Sequence, residues 1–172
     1  MVVDKQSRQS RFNVDEDQPS GWFEPLYASS SSEGDGIPWA RMKPHTSLSA
    51  WLDRNPPQAA GRRALVVGCG MGDDAIELES RGFEVTAFDV SKSAIRYCQE
   101  RFPDSTATFV QADLLVAQPQ WYQGFDLVLE IFTVQSLPPQ YEAELIENIS
   151  GFVAPGGQLL VVTRVGSEER SF

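Results

Sequence analysis

From Arg62 onward, apolar runs of strand length alternate with apolar positions spaced as on a helix. Residues 64–67 form an uninterrupted apolar run, which marks a strand buried on both faces. Glycines follow at 68, 70 and 72, and the pattern then predicts a helix over about 73–81, closed by Gly82 just past its end. A second strand over 84–88 ends at Asp89. Ser91 is placed to cap a helix whose Ala94, Ile95, Cys98 and Phe102 share one face, and Pro103 stops it. Strands are predicted over 106–111 and 125–132, and Tyr141, Leu145, Ile146, Ile149 and Phe152 line one face of the next helix. Ala154-Pro155-Gly156-Gly157 is predicted to turn the chain into a fifth strand over 158–163. Strands alternating with helices of this length predict an α/β fold, a parallel sheet with helices on both faces.

The first 61 residues lack this alternation and read as an N-terminal arm, leaving 62–172 as the core of a single domain. Residues 1–18 are polar and charged, as in a frayed arm, and Ser29 to Gly36 reads as a loop. Trp22, Phe23, Tyr27 and Trp39 are aromatics of a kind polar loops do not usually carry. They predict a lid that covers a ligand or a neighbouring face. A short helix over 47–54, capped by Ser47 and stopped by Asn55-Pro56-Pro57, turns Leu48, Trp51 and Leu52 inward.

Composition narrows the partners. With 14 basic and 24 acidic residues the net charge is −10, which disfavours nucleic acid and anionic membranes. The longest apolar stretch, 125–134, is interrupted by Asp126 and Glu130 and is too short to span a bilayer. Two cysteines without framework spacing, and an N-terminus without an apolar signal region, point to a reducing, cytoplasmic compartment.

Gly68-x-Gly70-x-Gly72 sits where the first strand meets its helix, so the backbone there can approach a ligand closely. The third glycine comes one residue too early for the dinucleotide fingerprint, which argues against a nicotinamide oxidoreductase. Asp73 and Asp74 open the helix and would repel a pyrophosphate, so the loop suits a ligand with a cationic part. Asp89, at the end of the second strand, can accept both hydroxyls of a ribose, or serve as a helix N-terminal acid. Asp113, after the third strand, is within reach of an adenine amino group, or serves as a turn residue. Open parallel sheets bind ligands at these carboxyl ends.

Leu65-Val66-Val67-Gly68-Cys69-Gly70-Met71-Gly72, Phe88-Asp89-Val90-Ser91, Gln111-Ala112-Asp113-Leu114, Phe125-Asp126-Leu127-Val128 and Val153-Ala154-Pro155-Gly156-Gly157 occur in this order. The set resembles the class I S-adenosylmethionine-dependent methyltransferases, over roughly Arg62 to Arg164. The resemblance implies a Rossmann-like sheet of order 3-2-1-4-5 and S-adenosylmethionine as cofactor, with S-adenosylhomocysteine as product. It implies that Gly68, Gly70 and Gly72 pass the methionine part, that Asp89 holds the ribose, and that Asp113 with Leu114 frames the adenine. Cys69 and Val90 line the same ligand by their place in these motifs, although Cys69 also reads as a small packing residue. Glu130 falls where family members contact the amino-acid portion or the substrate. The aromatic segment resembles the N-terminal lid of thiopurine-like small-molecule methyltransferases, which places Trp39 over the ligand.

Two departures from the family pattern stand out. Val66 occupies the position where many members carry an acid, and Asp73 is expected to substitute for it. The family fold continues past the fifth strand with a helix and an antiparallel strand pair, so the chain is expected to be truncated or a minimal core. The expected activity is methyl transfer to a small-molecule acceptor with a sulfur, selenium, halide, nitrogen or oxygen nucleophile. The rival is a non-catalytic S-adenosylmethionine-binding or interaction module. Thr133 and Gln135 are candidates for the acceptor side, and His45, the single histidine, is better placed as an exposed loop residue than as a base.

In the family order the fifth strand is an edge, and residues 158–163 carry no charge or proline to protect it. The edge is therefore expected to be covered by a second copy, giving a homodimer, or by the remainder of a longer chain, unless residues 164–172 fold back over it. Light scattering over a concentration series should show Val161→Lys dissociating the homodimer. A monomer at high concentration, equally soluble with and without the lysine, would rule out this dimer.

Overall fold

The computed structural model describes residues 18–164, so most of the predicted frayed arm and the last eight residues lie outside the described part. Five parallel strands form one sheet: β1 (Arg63–Val67), β2 (Glu84–Asp89), β3 (Thr108–Gln111), β4 (Phe125–Ile131) and β5 (Val153–Val162). Their order is β3-β2-β1-β4-β5, as the resemblance implies. β1 is central, with Leu65 opposite Thr86 of β2 and Val128 of β4.

Successive side chains of a strand face opposite layers, and β1 divides its residues accordingly. Ala64 and Val66 pack with Leu48 and Leu52 of α2 (Thr46–Arg54), Ala75 and Leu78 of α3 (Asp73–Ser80), and Ile95 and Cys98 of α4 (Lys92–Arg101). Leu65 and Val67 pack with Leu145 and Ile149 of α5 (Glu142–Gly151), together with Phe88, Phe125 and Phe152. A third cluster joins Tyr27, Ile37 and Met71 to Ala94 and Tyr97 of α4, and fastens the N-terminal segment onto the carboxyl end of the sheet.

The structure differs from the pattern-based expectation in four places. Phe23–Ala28 is a six-residue helix, α1, inside the segment read as an aromatic loop. α2 is capped by His45, whose Nδ1 accepts from the Ser47 N–H at 3.2 Å, and not by Ser47. Ile146 stands about half exposed, off the buried face of α5. Residues 154–157 make no separate turn: β5 starts at Val153 and runs through them as a bulge. Phe125 faces Val153 while Leu127 faces Gln158, and Gly156 takes a φ of +77° that absorbs the extra length. β5 lies at the edge of the sheet, with Leu159 and Val161 exposed. No helix among the described residues is long and apolar enough to cross a membrane.

Gly72, the residue before α3, has φ +87°, and a Cβ there would stand 2.9 Å from Cys98 Sγ and close to Phe102 and Phe109. Its missing side chain lets α3 settle onto α4 and β3. Gly72→Ala should therefore lose roughly 2–4 kcal/mol from backbone strain and overpacking. Urea unfolding followed by circular dichroism measures this, and a loss below about 1 kcal/mol would contradict the packing role.

Candidate active site at the carboxyl ends of the strands

The chain leaves β1 through Gly68, which turns at φ +60° under the side chain of Thr133. A Cβ on Gly68 would lie 2.4 Å from Thr133 Oγ1, so only glycine allows this approach. The loop that follows is internally bonded. Cys69 N–H donates to Phe88 O (2.8 Å), Gly70 N–H to Asp89 Oδ2 (3.0 Å) and Gly72 N–H to Cys69 O (2.9 Å). Ser91 N–H donates to the other Asp89 oxygen at 3.0 Å. Asp89 is 6% exposed, and burial raises its pKa to about 6 against the opposing pull of backbone N–H groups of Ser91, Gly70 and Val90.

The two acids opening α3 have different tasks. Asp73 forms a two-armed ion pair with Arg101 of α4, both bonds at 2.8 Å, and Arg101 also donates to Met71 O. The acid expected to replace the one absent at Val66 is thus already paired. Asp74 accepts from His45 N–H at 2.6 Å, and burial raises its pKa to about 6. Nothing in the local sequence separates these two neighbours; Arg101, 28 residues on, does.

Glu130 ends β4 almost fully buried, and its Oε1 accepts from Thr133 N–H (2.5 Å) and Val134 N–H (3.1 Å). Burial raises its pKa, with those two N–H groups opposing. The turn it holds contains Phe132 at φ +61°, a left-handed conformation that costs an aromatic residue strain. Thr133 Oγ1 donates to Val67 O at 3.2 Å, which ties this turn to β1. The His45 ring stands edge-on to Phe132 at 5.4 Å. His45 is buried, not the exposed residue expected, and burial followed by Arg41 lowers its pKa. Gln135 lies to the outside, where its Oε1 accepts from Thr163 Oγ1 and Arg164 N–H.

The N-terminal segment packs on the far side of the glycine loop, against α4. Glu24 accepts from Ser91 Oγ (2.6 Å), Ser93 N–H (3.1 Å) and Ser93 Oγ (2.9 Å), which pins α1 to the start of α4. Ser20 Oγ donates to Asp113 Oδ2 at 2.7 Å, and Leu115 N–H donates to its Oδ1 at 2.9 Å. Leu114 beside it is buried, and the Val90 carbonyl accepts from Gln111. Trp22 stacks on Phe23 at 3.9 Å, and Trp39 meets Trp22, Phe23 and Tyr27 edge-on at about 6 Å. Trp39 Nε1–H donates to the Tyr27 hydroxyl at 2.8 Å. Glu24 and Tyr27 lie in the segment that resembles the lid, but the partners that fix them, Ser91 and Tyr97, lie more than 60 residues away. A groove of about 400 Å³ lined by Trp51, Pro57, Arg62, Asp126 and Gln158 opens at the amino ends of the strands, away from all these groups.

The glycine loop, its acid at the end of β2 and the strand order now stand together. Residues 64–157 match the methyltransferase domain model. The chain belongs to the class I S-adenosylmethionine-dependent methyltransferase family. It is 35% identical over 102 residues to an uncharacterized methyltransferase of Mycobacterium tuberculosis, covering 59% of this chain and 50% of that protein. It is 29% identical over 133 residues to thiocyanate methyltransferase 1 of Brassica oleracea, covering 74% and 57%. A solved structure described as "Conversion of a Disulfide Bond into a Thioacetal Group during Echinomycin Biosynthesis" shares the fold, with a TM-score of 0.72 at 24% identity over 83% of this chain and 60% of that one. The chain spans about half the length of the curated relatives it matches. Asp74, Asp89 and Glu130 are buried carboxylates at this end of the sheet, each accepting backbone N–H groups.

Glu130 has a structural task that can be measured. Glu130→Ala leaves the Thr133 and Val134 N–H groups without their acceptor and should cost about 2–4 kcal/mol in urea unfolding. A loss under about 0.5 kcal/mol would mean that the turn does not depend on this carboxylate.

Proposed function

We propose that this protein transfers the methyl group of S-adenosylmethionine to a small, soft nucleophile, a sulfur, selenium or halide acceptor. The observation that carries the choice of acceptor is the state of His45. Its Nδ1 is committed as an acceptor to Ser47 N–H, its pKa is lowered, and its ring faces Phe132. A hydroxyl or ammonium acceptor needs a base to take its proton, whereas a thiolate, selenolate or halide needs only alignment. The thiocyanate methyltransferase of Brassica oleracea, named for a soft sulfur acceptor, supports the same reading.

S-adenosylmethionine supplies a methyl group on a sulfonium centre, and its sulfur leaves as a neutral thioether. Around it, Asp89 would accept the ribose hydroxyls with its remaining lone pairs. Asp113 and Leu114 would frame the adenine, with Ser20 sharing the Asp113 carboxylate. Trp39 covers the cleft from the arm side and keeps water from the methyl group. Phe132 and His45, in edge-on contact, would offer an aromatic face to the acceptor.

An acceptor panel tests the reaction. Turnover with thiols, thiocyanate or iodide is expected; transfer only to amines or hydroxyls, or tight binding with no turnover, would overturn this reading. Asp89→Ala should weaken S-adenosylhomocysteine binding about 10- to 100-fold, or ~1.5–3 kcal/mol, in calorimetric titration of a folded variant. Asp89 must be ionised to accept both hydroxyls, and it loses its proton only near pH 6. Affinity should therefore rise between pH 5 and 7 in the wild type and less steeply in Asp89→Ala. Equal affinity in both proteins would remove Asp89 from the site.

A further inference from the structure

The outer edge of β5 has no strand partner among the described residues, because β5 pairs with β4 alone. Backbone groups of successive strand residues alternate between the two sides of the strand. Phe132 N–H donates to Val162 O, and Arg164 N–H donates to Gln135 Oε1 beyond the end of β4. Val162, and with it Leu160 and Gln158, therefore turns its N–H and C=O toward β4. Leu159 and Val161 turn theirs outward, as an edge ready to pair with another strand.

The side chains of this edge are as open as its backbone. Leu159 is 38% and Val161 50% exposed. Both lie on the face that carries α5, because Leu159 stands opposite Val128, which packs with Leu145 and Ile149. Asn148 Nδ2 donates to Leu114 O, so that flank of α5 looks toward the middle of the sheet. Ile146 lies about 160° around the helix from Asn148 and faces the free edge, half exposed. Three of the six large apolar side chains exposed among the described residues thus follow one edge. A chain of net charge −10 repels its own copies over most of its surface, but residues 158–163 carry no charge. The eight residues after Arg164 suit this edge poorly as a strand, since Glu168, Glu169 and Arg170 are consecutive and would put charge on both faces of the sheet. A second β5 brings an uncharged strand of the same pattern.

We propose that the outer edge of β5 docks β5 of a second copy of this chain, antiparallel, on a two-fold axis that passes through Leu160 perpendicular to the sheet. The stretch of β5 in regular register with β4, residues 158–162, is centred on Leu160, and the bulge with Gly156 at φ +77° ends it on one side. Such an axis keeps each face of the sheet on its own side, so residues that meet across it share a face. Leu160 then stands opposite its own counterpart. Leu159 stands opposite Val161 of the second copy, and the two exchange both of their outward N–H···O bonds. Their side chains pair on the α5 face, flanked by Ile146 of each copy. The two sheets become one of ten strands. Because the axis reverses strand direction, the two candidate active sites lie at opposite ends of that sheet and both stay open. The interface is independent of what the cleft binds.

Sedimentation velocity of the full chain over a concentration series should show a species of twice the monomer mass, and removing residues 165–172 should leave it unchanged. Leu160→Cys should give a disulfide-linked dimer on oxidation, since a non-hydrogen-bonded pair sets its Cα atoms about 4.5 Å apart. Val161→Cys should not, because its counterpart lies two residues along the facing strand, beyond the roughly 7 Å that a disulfide can bridge. Cys69 and Cys98 are buried, so the wild type serves as the uncrosslinked control. Leu160 is half-buried, and should its variant fail to fold, sedimentation of the unsubstituted chain carries the test. A monomer at every concentration, or a dimer that appears only after residues 165–172 are removed, would overturn the proposal. So would a dimer that folded Leu160→Cys fails to cross-link or that Val161→Cys cross-links in its place.

Discussion

The Asp89 carboxylate is the tie on which the rest of the cleft depends. One oxygen holds Gly70 N–H and the other holds Ser91 N–H, so a single buried acid joins the loop after β1 to the start of α4. Burial makes its charge expensive, and the backbone donors around it offset only part of that cost. The fold thus keeps an acid with a pKa near 6 at its centre, where an apolar residue would be more stable. Such an expense is usual where charge is needed for a ligand. The N-terminal segment builds on the same point, since Glu24 reaches Ser91 and Ser93 immediately beside it.

The sheet and the glycine loop were legible because their signals are local. A buried parallel strand is a short apolar run, and the loop after β1 needs glycines at fixed offsets. The same locality explains what was missed. α1 is six residues long with a proline inside, too short for a periodic pattern to emerge. His45 caps α2 through Nδ1, a use of histidine that the preferred capping residues conceal. The bulge of β5 looks like a turn in sequence, because Pro155-Gly156-Gly157 suits both, and only pairing with β4 distinguishes them.

The candidate site was legible to the same limited depth. Asp89, Asp113 and Glu130 stand at strand ends, as their spacing implied, but their bonding partners are set by tertiary packing. Asp113 meets Ser20 across 93 residues, and Asp73 meets Arg101 across 28. Glu130 turns inward to hold the Phe132 turn, so its influence on an acceptor runs through backbone position. The ring contact of Phe132 and His45 joins residues from two distant segments, and no motif announces it. The sheet thus provides the frame, and the N-terminal segment is bonded to its strand-end residues through Ser20 and Glu24.

The central claim is that one ligand binds at the carboxyl ends of β1, β2 and β4 and engages the N-terminal segment at the same time. Titrating isotope-labelled protein with S-adenosylhomocysteine, and following amide and indole N–H signals by NMR, tests it most directly. Gly70, Ser91 and the Trp39 indole should shift together with a single dissociation constant. Shifts confined to the groove around Arg62 and Gln158, or a Trp39 signal indifferent to saturating ligand, would contradict it.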